Sequence, residues 1–192
     1  MNEIFIEVYE AKDFRKWLMK NHIKENSVLV ILHKKHTGKM KTNAAELMKE
    51  AICFGWIDTT AKRIDEDRYC IKCKKRTKNS TWSYNTLSYA KKLIQEGKMS
   101  PEGIKWYKKG LKKKPHDFGL EKNPEMPGDL KRELDKIKNK KLKENFDKLA
   151  PSMKRVYYRW ILRAKLHETK KKRINLILRN MKSGKNIFGK DV

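Results

Sequence analysis

The hydrophobic positions change period along this chain, and each change marks an element. Residues 4–8 are dense in β-branched and aromatic side chains, which predicts a strand. Phe14, Trp17 and Leu18 stand at i, i+3 and i+4, the spacing of one helix face, and Asn21 is placed to end that helix. Residues 28–32 are aliphatic without polar alternation, as in a strand covered on both faces. Thr37-Gly38 supplies a turn. Asn43 with Glu46 three positions on forms a capping box ahead of a helix with Ala44, Leu47, Met48, Ala51 and Ile52 on one side. Gly55 suits the position just past that helix, where a left-handed backbone is needed. Residues 56–64 and 68–74 read as a strand pair joined through Asp65, Glu66 and Asp67, with Tyr69, Ile71 and Cys73 on one face of the second strand. After a loop over 77–80, Ser80 or Ser83 caps a helix carrying Leu87, Ala90 and Ile94, which Gly97 ends. Ser100 and Pro101 open a further helix, with proline where its missing N–H costs nothing.

The pattern then breaks. Pro115, Pro124 and Pro127 with Gly119 and Gly128 mark residues 112–128 as a linker. Beyond it every stripe is helical: Leu130, Leu134 and Ile137; Leu142, Phe146 and Leu149; Val156, Trp160, Ile161 and Ala164; Ile174, Ile177, Leu178 and Met181. No such stripe is stable alone, so these helices must pack on one another. The predicted class is α+β: a small, mainly antiparallel sheet with packed helices over residues 1–111, the linker over 112–128, and an all-α bundle over 129–188.

Charge changes the picture more than composition does. The 49 basic residues exceed the 23 acidic ones by 26, and residues 129–192 alone carry 21 basic and 7 acidic side chains, net +14. Such a field attracts polyanions, with nucleic acid and anionic headgroups the obvious classes. A lysine-rich proteome would give the same numbers without a partner, and both readings stand. The longest aliphatic run, 28–32, is too short to cross a bilayer, and residues 1–11 lack the basic start and apolar centre of a signal peptide. A cytoplasmic location is expected. Three cysteines give no disulfide framework.

Two stretches carry a likeness to a known family. One runs from the Trp17-Leu18 helix through Ala51-Ile52-Cys53-Phe54-Gly55-Trp56-Ile57-Asp58 and Ser80-Thr81-Trp82-Ser83-Tyr84-Asn85 to Gly97-Lys98-Met99-Ser100-Pro101-Glu102-Gly103. The other holds Phe146, Leu149-Ala150-Pro151-Ser152, Tyr158-Arg159-Trp160-Ile161, Ala164-Lys165 and Glu168 to Ile174. In these the chain resembles the YdeI/OmpD-associated, or bacteriocin-protection, family. The resemblance implies a mixed N-terminal domain, a helical C-terminal one, and a role in protection against bacteriocins or cationic peptides. It brings no settled reaction. The chain departs from the family pattern at Thr59 (usually Gly), Cys73 (aromatic), Lys75 (Pro) and Lys170 (Arg). A cation-rich protein is also a poor trap for cationic peptides by charge alone.

Three constellations are candidates for chemistry. In the first, Asp58 and Arg76 form a polar floor with Trp56 and Trp82 as walls, and Ser80, Ser83 and Asn85 offer donors to a small anionic ligand. Against it stands the plain reading of core indoles and a helix cap. No Ser/His or Cys/His pair is visible nearby, so the reading leans away from an enzyme and assigns no catalytic residue. In the second, His33 with His36 and Cys70 with Cys73 suggest a metal. Residues three apart on a strand face opposite ways, and no second Cys-x-x-Cys exists, so neither metal nor other cofactor is expected. In the third, Arg155, Arg159, Arg163, Lys170, Lys171, Lys172 and Arg173 line a basic face, with Tyr157 and Tyr158 interleaved to stack on bases. A solvated lysine-rich face is the alternative. The sequence thus leaves three partner classes: nucleic acid or another polyanion, a small anionic ligand, or a protein docking on exposed aromatics.

Overall fold

A computed structural model describes residues 3–189, and the chain divides into two compact units, Met1–Phe118 and Gly119–Val192. The first is α+β. Its strands are β1 (Phe5–Glu7), β2 (Ser27–His33), β3 (Trp56–Arg63) and β4 (Arg68–Lys75), in the order β1-β2-β4-β3. β1 runs parallel to β2, and the other two pairings are antiparallel. The parallel pair needs a crossover, which α1 (Ala11–Asn21) provides. Central β2 buries Val28, Val30 and Leu32, as its unbroken aliphatic run requires.

The helices bury most of the residues their spacing predicted, although Ala44 is exposed and Leu93 is buried more deeply than Leu87 or Ile94. α1 buries Phe14 and Leu18, while Trp17 meets Trp56 edge to face at 5.6 Å. α2 (Ala44–Cys53) starts at Asn43, whose side chain accepts from the N–H groups of Ala45 and Glu46. The expected capping box is only half made, because the Glu46 carboxylate accepts from the Thr42 hydroxyl instead. Gly55 follows with φ of 73°, so the chain turns straight from α2 into β3.

Two departures from the family pattern have local explanations. At Thr59 the β3–β4 register shifts between Asp58 and Thr60, and the Thr59 hydroxyl donates to the Lys72 carbonyl at 3.0 Å. The bulge takes the extra residue without a positive φ, so glycine is not required there. Lys75 donates its backbone N–H to the Asn26 carbonyl at 3.0 Å, a bond proline could not make.

α3 (Tyr84–Gln95) and α4 (Pro101–Leu111) complete the unit. α4 lies unusually close to the end of α2. Ser100 donates both its N–H and its hydroxyl to the Cys53 carbonyl, at 2.9 and 2.8 Å. A Cβ on Gly103 would sit 2.1 Å from that oxygen, so only glycine allows the approach.

The second unit contains α5 (Gly128–Lys136), α6 (Lys140–Asp147), α7 (Pro151–Leu162) and α8 (His167–Lys182). Its core gathers Leu130, Phe146, Tyr157, Ile161, Ile177 and Met181, each nearly without exposure. α8 packs on both α6 and α7. On α7 the buried stripe is Tyr157, Tyr158 and Ile161, and Val156 is turned outward. Of the expected face, Ile161 and Ala164 are buried and Trp160 is half-buried, while Val156 is turned outward and its neighbour Tyr157 is buried in its stead.

Candidate functional site

Arg76 is the best-placed charged group of the first unit. It follows β4, and its backbone N–H donates to the Gly55 carbonyl at 2.9 Å, which fixes the chain as it leaves the sheet. The side chain turns inward and is only 2% exposed. Its Nε donates to the Trp56 carbonyl at 3.2 Å and its Nη1 to the Thr81 carbonyl at 3.1 Å. Its guanidinium carbon lies over the Trp82 ring, 3.7 Å from the centroid. Burial pulls the Arg76 pKa down to about 10, against the opposing influence of Asp58. At neutral pH the group is still fully charged.

Asp58 stands on β3 opposite Cys73, exposed, and acts on Arg76 through space without forming an ion pair among the described residues. The same carboxylate adds to burial in pushing the Cys73 thiol up to about 12. The predicted polar floor is therefore a buried cation with a carboxylate nearby, not a bonded pair.

The two indoles part company. Trp56 is fully buried, and its Nε1 donates to the His22 carbonyl at 3.2 Å, so it is a core residue and forms no wall. Trp82 is held by Arg76 on its ring, by Tyr107 edge-on at 6.2 Å, and by its own carbonyl, which accepts from the His116 N–H. Its Nε1 makes no hydrogen bond within the described residues. Gly110 of α4 accommodates the ring: a Cβ there would lie 2.4 Å from the Trp82 Nε1.

Beside Trp82 a hollow of about 400 Å³ opens between the 77–82 loop and the C-terminal end of α4. Trp82 and Trp106 form its apolar part; Lys78, Lys109, Lys112 and Lys113 surround it, and Thr77 and Ser80 add hydroxyls. No carboxylate lines it. The Lys109 ammonium lies 4.6 Å from the Trp106 centroid, and the Lys113 ammonium donates to the Lys78 carbonyl. Ser80 Oγ accepts from the Thr77 N–H at 2.9 Å, leaving its own hydroxyl hydrogen to donate.

Of the predicted ligand residues, Ser80 and Trp82 line the hollow and Arg76 backs Trp82; Trp56, Asp58, Ser83 and Asn85 do not line it. Ser83 is the N-cap of α3, its Oγ accepting from the Thr86 N–H at 3.1 Å. The α3 terminus is moreover already supplied with an anion, since the Tyr84 N–H donates to the Asp117 carboxylate at 3.0 Å. Sequence reasoning missed Trp106, Lys109, Gly110, Lys112 and Lys113. Two glycines inside an otherwise helical segment were the available signal, because they mark close approach by something else.

The histidines and cysteines serve locally. His33 Nε2 contacts the Glu7 carboxylate at 2.7 Å, its ring stacks on Tyr9, and exposed His36 faces Asp67 at 3.0 Å. Cys53, Cys70 and Cys73 are all buried and free.

In the second unit, Arg155, Arg159 and Arg163 recur every fourth residue along α7 and its C-cap. Arg155 donates to the Asn123 side chain at 3.0 Å, Arg159 to the Glu121 carbonyl, and Arg163 is exposed. On α8, Lys171 and Lys172 are exposed, Lys172 pairs with Glu168 at 2.7 Å, and Lys170 is half-buried. Arg173 donates to the Trp160 carbonyl, its guanidinium 5.1 Å from that ring's centroid. Tyr157 and Tyr158 cannot stack on bases as predicted. Both are buried, and the Tyr157 hydroxyl accepts from the Ile187 N–H. No helix among the described residues is long and apolar enough to cross a membrane.

Comparison with known proteins assigns the two parts of the chain separately. A family model described as a domain of unknown function (DUF8412) matches residues 6–106. The model described as Bacteriocin-protection, YdeI or OmpD-Associated matches residues 123–184. The two stretches on which the resemblance rested thus fall under different models. No curated protein and no solved structure matches the chain. The chain belongs to the domain family of unknown function that covers just over half of it, and over residues 123–184 it is similar to the YdeI/OmpD-associated, bacteriocin-protection family.

Proposed function

We propose that this is a non-enzymatic binding and stress-protection protein that engages a polyanion, nucleic acid foremost, through the basic face of its helical unit. The observation that carries the reading is the four-residue recurrence of Arg155, Arg159 and Arg163, with exposed Lys171 and Lys172 on the next helix. A cation every four residues of helix (~6 Å) suits a phosphate backbone, and the net +14 of residues 129–192 supplies the long-range attraction. With both tyrosines buried, neither stacks on a base, and the reading rests on charge, which does not distinguish one nucleotide sequence from another. The protein acts, on this reading, in the cytoplasm.

The test is a binding panel of single-stranded RNA, duplex DNA and vesicles with anionic headgroups, read for the wild type and for Arg155→Ala/Arg163→Ala/Lys171→Ala. Weaker nucleic-acid binding in the triple variant, equal across sequences, supports the reading. Unchanged affinity, or binding to vesicles alone, refutes it.

A second reading is a small-ligand sensor or enzyme built on the tryptophan motifs of the first unit. A separate observation favours it, the lysine-rimmed hollow beside Trp82. It predicts stabilisation by a small molecule rather than by nucleic acid.

A further inference from the structure

We infer that the hollow between the 77–82 loop and the end of α4 is a binding site for a phosphate monoester with a compact apolar body. This narrows the small-ligand reading to a ligand class and stands without the polyanion reading.

Three features converge on that class. The first is an excess of positive charge. Lys78, Lys109, Lys112 and Lys113 border one hollow with no carboxylate among its lining residues, and none of the four is ion-paired among the described residues; Glu102 acts on Lys109 through space but is itself paired with Lys105. Four ammonium groups brought together repel one another, and a bound dianion relieves that repulsion where a neutral ligand would not. The buried Arg76 guanidinium behind Trp82 adds a fifth positive charge that no bonded carboxylate neutralises. Lysines at a helix C-terminus also complement its dipole, which accounts for Lys109 and Lys112. It does not account for Lys78, which is brought to the same place by a different segment.

The second feature is the lining. Two indoles and the aliphatic stems of the lysines make the wall chiefly apolar, so a bare inorganic anion would leave most of it in water. At about 400 Å³ the hollow accommodates a phosphate together with one ring. Trp82 is almost fully buried and has Arg76 over its ring, so only a small part of the indole is left to the ligand. The third feature is the hydroxyl pair. Ser80 is oriented by the Thr77 N–H at 2.9 Å and can donate to a phosphate oxygen.

The experiment is calorimetric titration of the full chain with phenyl phosphate, inorganic phosphate and phenol. Phenyl phosphate should bind at least about tenfold more tightly than either fragment, because only it uses both the cations and the apolar wall. Lys78→Ala/Lys112→Ala, both exposed positions, should weaken phenyl phosphate about tenfold or more without changing the melting temperature. Lys171→Ala in the helical unit should leave it unaltered. Equal binding of phenyl phosphate and inorganic phosphate would overturn the inference, as would full affinity in the double variant. Absence of binding by all three probes would remove the small-ligand reading itself.

Discussion

Arg76 and Trp82 form a stacked pair inside the first unit, guanidinium over indole at 3.7 Å, with both side chains almost fully buried. The pair joins the exit of β4 to the start of α3, because the same guanidinium also holds the carbonyls of Trp56 and Thr81. A buried cation without a bonded carboxylate is costly, and the two carbonyls with the ring are what offset it. Trp82→Ala should destabilise the unit by about 3–5 kcal/mol, the range for a buried large aromatic. Arg76→Leu should cost less, about 1–3 kcal/mol, since it leaves two carbonyls unsatisfied but removes a buried charge. Urea denaturation ranks the two, and a greater loss for Arg76→Leu would show that the ring is not the principal support.

The two glycines of α4 and Gly128 at the start of α5 make a graded series. Alanine is favoured over glycine inside a helix by about 1 kcal/mol. At Gly103 that gain meets the Cys53 carbonyl at 2.1 Å, and at Gly110 it meets the Trp82 Nε1 at 2.4 Å. Gly128 has nothing within 4 Å. Thermal melts should order the alanine variants Gly128 (neutral or better), Gly110, then Gly103, the last losing most because backbone cannot move aside. Overpacking of this kind costs about 1–3 kcal/mol.

Caps give a smaller effect with a clear sign. Asn43→Ala removes acceptors for the N–H groups of Ala45 and Glu46, and should cost about 0.5–2 kcal/mol. Ser100→Ala should fall at the upper end, because its hydroxyl both accepts from the Gly103 N–H and donates to the Cys53 carbonyl. Equal small losses at both sites would mean the second bond adds nothing.

Alkaline pH should weaken the first unit through its buried thiol. Cys73 is pushed from 9.0 up to about 12 in the folded state, by burial first and Asp58 second. The unfolded chain therefore releases the thiol proton before the folded one does. Stability from this source is complete below about pH 9 and is lost as pH climbs toward about 12. Cys73→Ala should show a shallower fall over that window, and native Cys73 should resist alkylating reagents that label the unfolded chain.

How much of this was legible beforehand varied with what each signal encoded. Helix starts at Asn43, Ser83 and Ser100 were readable because capping chemistry is local. The 65–67 connection and the left-handed Gly55 were readable for the same reason. The orientation of long side chains was not. Trp56 and Trp82 looked alike in sequence, yet one sank beneath α1 and the other came to edge a hollow. That difference depends on α4, whose contact with Trp82 spans 28 residues of chain from Gly110 and leaves no periodic trace. On α7, Val156 and Tyr157 are neighbours with comparable claims to the core, and only packing against the other helices decides between them.

The central claim is that an anionic partner is held by charge, and one measurement addresses it most directly. The affinity of the full chain for a single-stranded RNA oligonucleotide should be followed as salt rises from about 50 to 200 mM. Several phosphates held by this face predict log K falling linearly with log salt, at about 0.7 per contact, and Arg163→Ala should reduce that slope by one contact. A flat line, or an affinity absent even at the low-salt end, would contradict the account.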